Sequence, residues 1–415
     1  MSAAVQEAPA AHLSVLDLAP ESTGEPAGSA VAHSLDLARA AERWGYRGFW
    51  LAEHHLSPGV SSAAPAVLAA LVAASTRRLR VGSAASLLAV TTAAVAAEQW
   101  ATIARAAGDR VDLGFGRAHV PAPAAAARAG GGPDSGPGGA DGGAGVPHAS
   151  RVVDGLPVPA PPPPPLRDPA VLELLRASAR VLGVHRADPP PLADELRLAL
   201  DLLGGGHVDA DGRRHGSALL SGAPVRVHVL ASSGGESARA AGELGLPLVA
   251  NYHVAPAAVL ETVEAYRSAF RPGVLPAPRV AVSVDVVVAE SDERAAELAD
   301  PHGPWVLSIR RGRGAVPVPA PAEARAATWT PEDRALVADR LEAQVVGSPA
   351  TAVRRLHALQ RATGAEELLV TTATHRAADR LRSYELLAAA WRAAGAPAGG
   401  AGAPVPRTYT RRRTP

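Results

Sequence analysis

Cysteine and lysine are both absent from this 415-residue chain. Without cysteine there is no disulfide, thiolate zinc site, iron–sulfur cluster or thiol nucleophile. Without lysine, Schiff-base chemistry and the phosphate-gripping lysine of a P-loop are excluded as well. All 41 side chains of the Lys/Arg class are therefore arginine. A surplus of either charge is missing too, and a formal net charge of +1 argues against a nucleic-acid or acidic-membrane partner. The first residues lack a basic segment followed by an apolar core, and no apolar run approaches the ~20 residues that cross a bilayer. A cytoplasmic location is the expectation.

What the chain does contain is alanine in abundance, 40 glycines, 38 prolines, and 47% hydrophobic against 20% charged residues. That is the balance of a globular protein, long enough to bury one large core or two medium ones. Residues 1–11 are small, polar and loose in character. Strand-like runs then alternate with amphipathic helices: strands at 13–16, 48–52, 79–83 and 111–115, with helices at 29–44, 65–75 and 93–107 between them. The rhythm breaks at 119–166, a Gly/Pro-rich tract with little to bury that reads as a mobile insertion stiffened by Pro161 to Pro165. Helices at 169–182 and 192–203 follow, and strands resume at 225–230, 246–250, 280–289 and 367–372. Helical segments are expected at 292–299 and 331–344, and closing helices at 350–363 and 377–394. Eight strands alternating with helices predict a single (β/α)8 TIM barrel over 12–394, with the insertion after strand four and a disordered basic tail at 395–415.

In such a barrel the chemistry sits at the C-terminal ends of the strands. The second strand ends in Glu53-His54-His55, one carboxylate and two imidazoles at the close of a buried apolar run. Asp17, Ser83, Arg117 and the group Asn251, Tyr252 and His253 fall on the same face. Ser233-Gly234-Gly235 opens a helix, and its backbone amides at a positive helix end suit a phosphate, with Arg117 able to add a two-pronged contact. A plainer alternative stands beside each reading: Glu53 caps a turn, His54 and His55 are loop residues, Ser233 caps its helix, and Arg117 pairs with a carboxylate. No set of metal ligands is singled out.

These residues resemble the bacterial luciferase-like flavin monooxygenases. The resemblance is carried by Ser14-Val-Leu-Asp17, Gly45-Tyr-Arg-Gly-Phe-Trp-Leu-Ala-Glu-His-His55, Leu79-Arg-Val-Gly-Ser83, Asp109-Arg-Val-Asp-Leu-Gly-Phe-Gly-Arg117 and Ala231-Ser-Ser-Gly-Gly-Glu-Ser237. Val346-Gly-Ser-Pro349 and Glu366-Glu-Leu-Leu-Val-Thr371 match the family's last barrel unit. The resemblance implies His54 as the acid/base residue, with His55 and Glu53 beside it. It implies Ala84-Ala85 at an unusual backbone turn under the flavin ring, and Arg117, Ser233, Gly234 and Ser237 at the flavin phosphate. It further implies reduced FMN as cofactor, molecular oxygen and a small organic substrate such as an aldehyde as reactants, a separate flavin reductase as partner, and a homodimer. An imidazole suits the role given to His54, because its ordinary pKa near 6.5 allows proton transfer both ways at neutral pH. The same fold also hosts deazaflavin-dependent hydride-transfer dehydrogenases and reductases. The chain departs from the family pattern at 87–93, just after the third strand, which leaves a non-catalytic flavin-binding protein as a third reading.

Overall fold

The computed structural model describes residues 11–117, 148–163, 169–184 and 189–395. Eight parallel strands close on themselves: β1 (His12–Asp17), β2 (Gly48–Leu51), β3 (Arg80–Ser83), β4 (Val111–Gly116), β5 (Val225–Ala231), β6 (Leu248–Asn251), β7 (Val280–Val288) and β8 (Glu367–Thr371). Pairing runs β1–β2–β3–β4–β5–β6–β7–β8 and back to β1, where Ser14 lies opposite Leu369. This is the (β/α)8 barrel that the alternation predicts. The expected leader and tail lie outside the described residues, apart from Ala11 and Gly395.

Strand side chains alternate between two environments, as the two-residue period of a strand requires. Val15, Phe49, Val81, Leu113, Val227, Leu248, Val282 and Leu368 face outward into the large apolar layer shared with the helices. Leu16, Trp50, Leu230, Val249 and Leu369 face inward and form a second apolar cluster. Two inward glycines make room for it. A Cβ at Gly82 would stand 2.9 Å from the Trp50 ring, and one at Gly114 would stand 2.6 Å from Leu230 Cδ1. Trp50 and Leu230 thus occupy volume that side chains at those positions would claim.

Toward the N-terminal end the barrel interior is ionic. Asp112 holds Arg80 through two contacts of 2.7 Å and lies 3.1 Å from His228 Nε2. Burial alone would raise the Asp112 carboxyl, but Arg80 and His228 outweigh it and hold it well below the usual carboxylate range. Ser14 donates to Glu367 at 2.5 Å beside them.

The helices around the barrel are α1 (Ser29–Trp44), α2 (Pro65–Ser75), α3 (Ala93–Ala107), α4 (Pro169–Val181), α5 (Leu192–Gly204), α6 (Glu236–Glu243), α7 (Val259–Ala269), α8 (Asp292–Ala299), α9 (His302–Arg310), α10 (Pro321–Ala326), α11 (Pro331–Ala343), α12 (Pro349–Thr363) and α13 (Ala377–Ala393). Their ends follow local chemistry. The N–H of Gly45, at φ 81°, closes α1 on the carbonyls of Ala41 and Glu42, and Thr92 accepts from the Val95 amide at the start of α3. Thr330 and Asp333 form a reciprocal cap on α11. The last helix is tied to the first strand by the Trp391 indole donating to the Ala11 carbonyl at 2.8 Å and by Arg380 donating to Asp17 at 2.5 Å.

Three features depart from the sequence reading. The connection from β7 to β8 carries α9 and α10 as well as the three expected helices, plus a short strand Val345–Gly347 that pairs with the end of β7. Trp305 and Val306 of α9 and Leu336 and Val337 of α11 join the inner apolar cluster, so this connection covers part of the barrel mouth. An antiparallel hairpin, His207–Val208 with Arg214–His215, precedes β5.

The third departure corrects the insertion. Within the tract 119–166, residues 119–147 and 164–166 lie outside the described residues, but 148–163 are not a loose linker. Arg151–Val153 and Leu156–Val158 form a hairpin whose Leu156 and Val158, 2% and 0% exposed, belong to the main core. The Tyr252 hydroxyl donates to the Pro157 carbonyl at 2.7 Å, which anchors the hairpin beside the end of β6. Its strands are only three residues long and one carries a proline, so the burial comes from tertiary packing that local pattern does not reveal.

Candidate active site

The end of β2 turns sharply at Glu53. One carboxylate oxygen lies 2.7 Å from His55 Nε2, and the other accepts the Leu87 amide at 2.9 Å. Glu53 therefore orients His55 and fixes the connection after β3, and neither oxygen is left to face a substrate alone. His54 is held by its backbone, whose N–H donates to the Ser62 carbonyl at 2.8 Å. The residue is exposed, but burial of its imidazole by the protein packed around it, with His55 adding its charge, lowers the ring from 6.5 to about 4. His54 is a neutral imidazole there at neutral pH.

Beside it, the peptide between Ala84 and Ala85 is cis, in agreement with the unusual turn that the resemblance implies at this pair. Ala85 is buried in the inner apolar cluster. A Cβ at Gly116 would stand 2.8 Å from that of Ala85, so the end of β4 approaches this turn closely. The next residue, Arg117, reaches the start of α6 and pairs there with Glu236, whose other oxygen accepts the Leu192 amide at 2.8 Å. This is the carboxylate pairing weighed as the plainer alternative for Arg117.

The turn between β5 and α6 packs tightly. Ser233 is buried, and its hydroxyl accepts the Gly235 amide at 3.3 Å. A Cβ at Gly234 would stand 3.1 Å from Glu261 Oε1 and 3.2 Å from Ala265 Cβ. No side chain caps α6 at Gly235. At the second residue of the helix, the Ser237 hydroxyl is buried without a hydrogen-bond partner. An uncapped helix start with an unsatisfied buried hydroxyl is suited to an anion that brings its own acceptor oxygens. The expected phosphate residues thus stand together, with Glu236 competing for Arg117.

The connection after β6 adds residues that deserve equal weight. His253 donates its backbone N–H to the Ser283 carbonyl at 3.1 Å, and its Nδ1 lies 2.5 Å from Ser283 Oγ. Burial lowers it to about 4, with Arg340, His54 and His302 acting in the same sense and Asp285 against it. Behind it, Asp285 lies 3.4 Å from Arg340 and 3.7 Å from His302 Nε2. His302 is fully buried, stacks on Trp305 and falls to about 3 through burial, then Arg340 and Arg310. The Asp285 carboxyl is raised by burial, against the pull of Arg340 and His253. Ser283 and Asp285 carry a signal that the sequence reading passed over: two polar residues at alternate positions of a valine-rich strand. His302 and Arg340 carry none, since only the covering helices bring them here. Asp17, placed on the same face by the sequence, serves instead as the buried partner of Arg380. Among the described residues no group of histidines and carboxylates is arranged to hold a metal ion.

The family described as luciferase-like monooxygenase matches residues 12–134 and 176–367. An Escherichia coli K12 protein named luciferase-like monooxygenase is 32% identical over 378 residues, covering 90% of this chain and 95% of its own. The uncharacterized protein YvbT of Bacillus subtilis is 32% identical over 385 residues, 92% of this chain and 96% of its own. Among solved structures, apo-MsnO8 superposes with a TM-score of 0.70 at 29% identity over 92% of this chain and 98% of that one. Two more distant structures share the fold. One is the oxygenating constituent of 3,6-diketocamphane monooxygenase from Pseudomonas putida with FMN, at TM-score 0.56 and 18% identity over 91% of this chain and 97% of that one. The other is an F420-dependent secondary alcohol dehydrogenase, at TM-score 0.53 and 13% identity over 92% and 99%.

Proposed function

This chain belongs to the luciferase-like monooxygenase family and is an oxidoreductase, and from that premise we propose that it uses reduced FMN and molecular oxygen to oxygenate a small carbonyl compound such as an aldehyde. The observation that carries the cofactor assignment is the buried, unpartnered Ser237 hydroxyl at the uncapped start of α6. With Ser233 and Gly234 shaping the turn and Arg117 alongside, these residues would hold a phosphate. Ala84 and Ala85, against Gly116, would support the ring. Bound reduced flavin supplies the electrons and the activation of oxygen.

The chain's own residues do the rest. His54, neutral and accessible, takes up and returns protons at the mouth of the barrel. Glu53 and His55 hold the turn on that side against the connection after β3. The helices α9 and α11 shield the interior from water through Trp305, Val306, Leu336 and Val337. Titration with FMN, riboflavin and a deazaflavin coenzyme tests the assignment. Tight binding of FMN, with riboflavin much weaker, is expected. A preference for the deazaflavin would move the chemistry to hydride transfer.

The supply of reduced flavin falls to a separate reductase. The assembly we propose is a homodimer, supported by α2, whose Val67, Ala70, Leu71 and Ala74 form an exposed apolar stripe at helical spacing. Val67 is 61% exposed and Leu71 44%. Sedimentation of the parent and of Leu71→Glu tests it: a dimer that dissociates in the variant supports the stripe as the interface. Among the described residues no helix is long and apolar enough to cross a membrane.

A further inference from the structure

His54 and His253 follow β2 and β6, which stand four strands apart in a ring of eight and so on opposite walls of the barrel. Both residues follow the C-terminal ends of parallel strands, so both border the same mouth and stand across it from each other.

Ser283 decides how His253 presents itself. Its hydroxyl lies 2.5 Å from Nδ1, whereas its other acceptors, the Ala250 carbonyl and Asn251 Oδ1, are each at 3.5 Å. Were Nδ1–H the donor, the buried hydroxyl would have only the two 3.5 Å acceptors for its proton, both beyond good O–H···O range, so the geometry favours donation from Oγ to Nδ1. A neutral imidazole with an accepting Nδ1 carries its own proton on Nε2. The ring is further pinned to β7 by the backbone contact between the same two residues.

We propose that His253 is a hydrogen-bond donor of the active site, presenting Nε2–H over the barrel mouth to the carbonyl-type oxygen of the substrate while His54, facing it, handles the proton. This rests on the function proposed above and narrows its substrate class. Two neutral imidazoles suit a neutral carbonyl compound rather than a carboxylate. The titratable groups packed around His253 are Asp285 from β7, His302 from α9, Arg340 from α11 and His54 from the turn after β2. None of them replaces Ser283 as the contact at Nδ1.

The test is nitrogen-15 magnetic resonance of labelled histidine in the full-length protein, without cofactor. At pH 7, His253 is expected to show an unprotonated Nδ1 and a protonated Nε2, and the reverse tautomer would overturn the proposal. Ser283→Ala should let both tautomers appear, and an unaltered tautomer in that variant removes the role given to Ser283. His54→Gln removes the charge that acts on His253, so the His253 midpoint should rise. An unmoved His253 midpoint means that the two rings do not share the mouth. FMN affinity, followed by fluorescence, should stay within about twofold in both variants, because neither residue touches the phosphate turn. If the parent fails to bind FMN, the proposed function falls, and the tautomer and midpoint still decide the present inference.

Discussion

The Arg117 guanidinium closes onto the Glu236 carboxylate at the N-terminus of α6, one helical position before the unsatisfied hydroxyl of Ser237. A carboxylate at a helix start is favourable in itself. Here it also occupies the cation that a phosphate would use, so the two anions compete for one guanidinium.

Replacing Glu236 by glutamine should free Arg117 and strengthen FMN binding by about fivefold, while Arg117→Ala should weaken it by about 1.5–3 kcal/mol. Riboflavin, which lacks the phosphate, should respond to neither change. Parallel titrations with the two flavins check this, and an identical response of both ligands would remove the phosphate from this turn.

His54→Asn separates proton transfer from packing. Asparagine can make similar hydrogen bonds but does not titrate, so turnover should fall by ~100-fold or more while flavin affinity holds. Single-turnover oxidation of bound reduced flavin with substrate, followed across pH in parent and variant, gives the answer. An unchanged product yield and pH profile would take His54 out of the mechanism.

Stability should decline on the acid side through His302. Its ordinary value is 6.5 and its folded value is about 3, so between these limits the unfolded chain holds a proton that the folded chain does not. The stabilisation is complete above about pH 6.5 and is lost as the pH falls toward 3, by up to about 1.4 kcal/mol per unit. Urea unfolding at pH 7 and pH 4.5 should show this loss, and His302→Phe, which retains a ring against Trp305, should reduce it. Equal acid sensitivity in parent and variant would place the effect elsewhere.

Leu156→Ala should lower stability by about 2–4 kcal/mol, as expected for truncating a fully buried leucine. The hairpin that carries it joins the main core. A denaturant midpoint unchanged by this substitution would return the hairpin to the mobile insertion that composition suggests.

The barrel was legible because its eight strands are buried apolar runs separated by helices with clear stops, and because their order leaves few topologies. The ends of β2, β3, β4 and β5 were legible through their resemblance to one family, and the structure brings Glu53, Ala85, Arg117 and Ser237 onto one continuous rim. Hidden from local pattern were contacts made at a distance. Leu156 and Val158 sit among prolines and glycine, and only the core and Tyr252 make them buried. His302 reaches Asp285 because α9 folds back over the mouth, and nothing in its neighbours announces that. Ser283 was readable in principle, as a polar residue on the inward face of a valine strand.

The closure of β1 against β8 and α13 also governs the order in which the protein can be completed on the ribosome. The first strand is made well before the partners of its second edge, which begin at residue 367, and Arg380, which neutralises the buried Asp17, comes later still. At roughly 5–20 residues per second, that edge waits on the order of 20–70 s for its neighbour. Throughout that interval the nascent chain carries an open, hydrogen-bond-hungry strand with an uncompensated carboxylate at its end. A charge on an open strand edge discourages pairing with other strands, so Asp17 is expected to act in that sense until Arg380 is made.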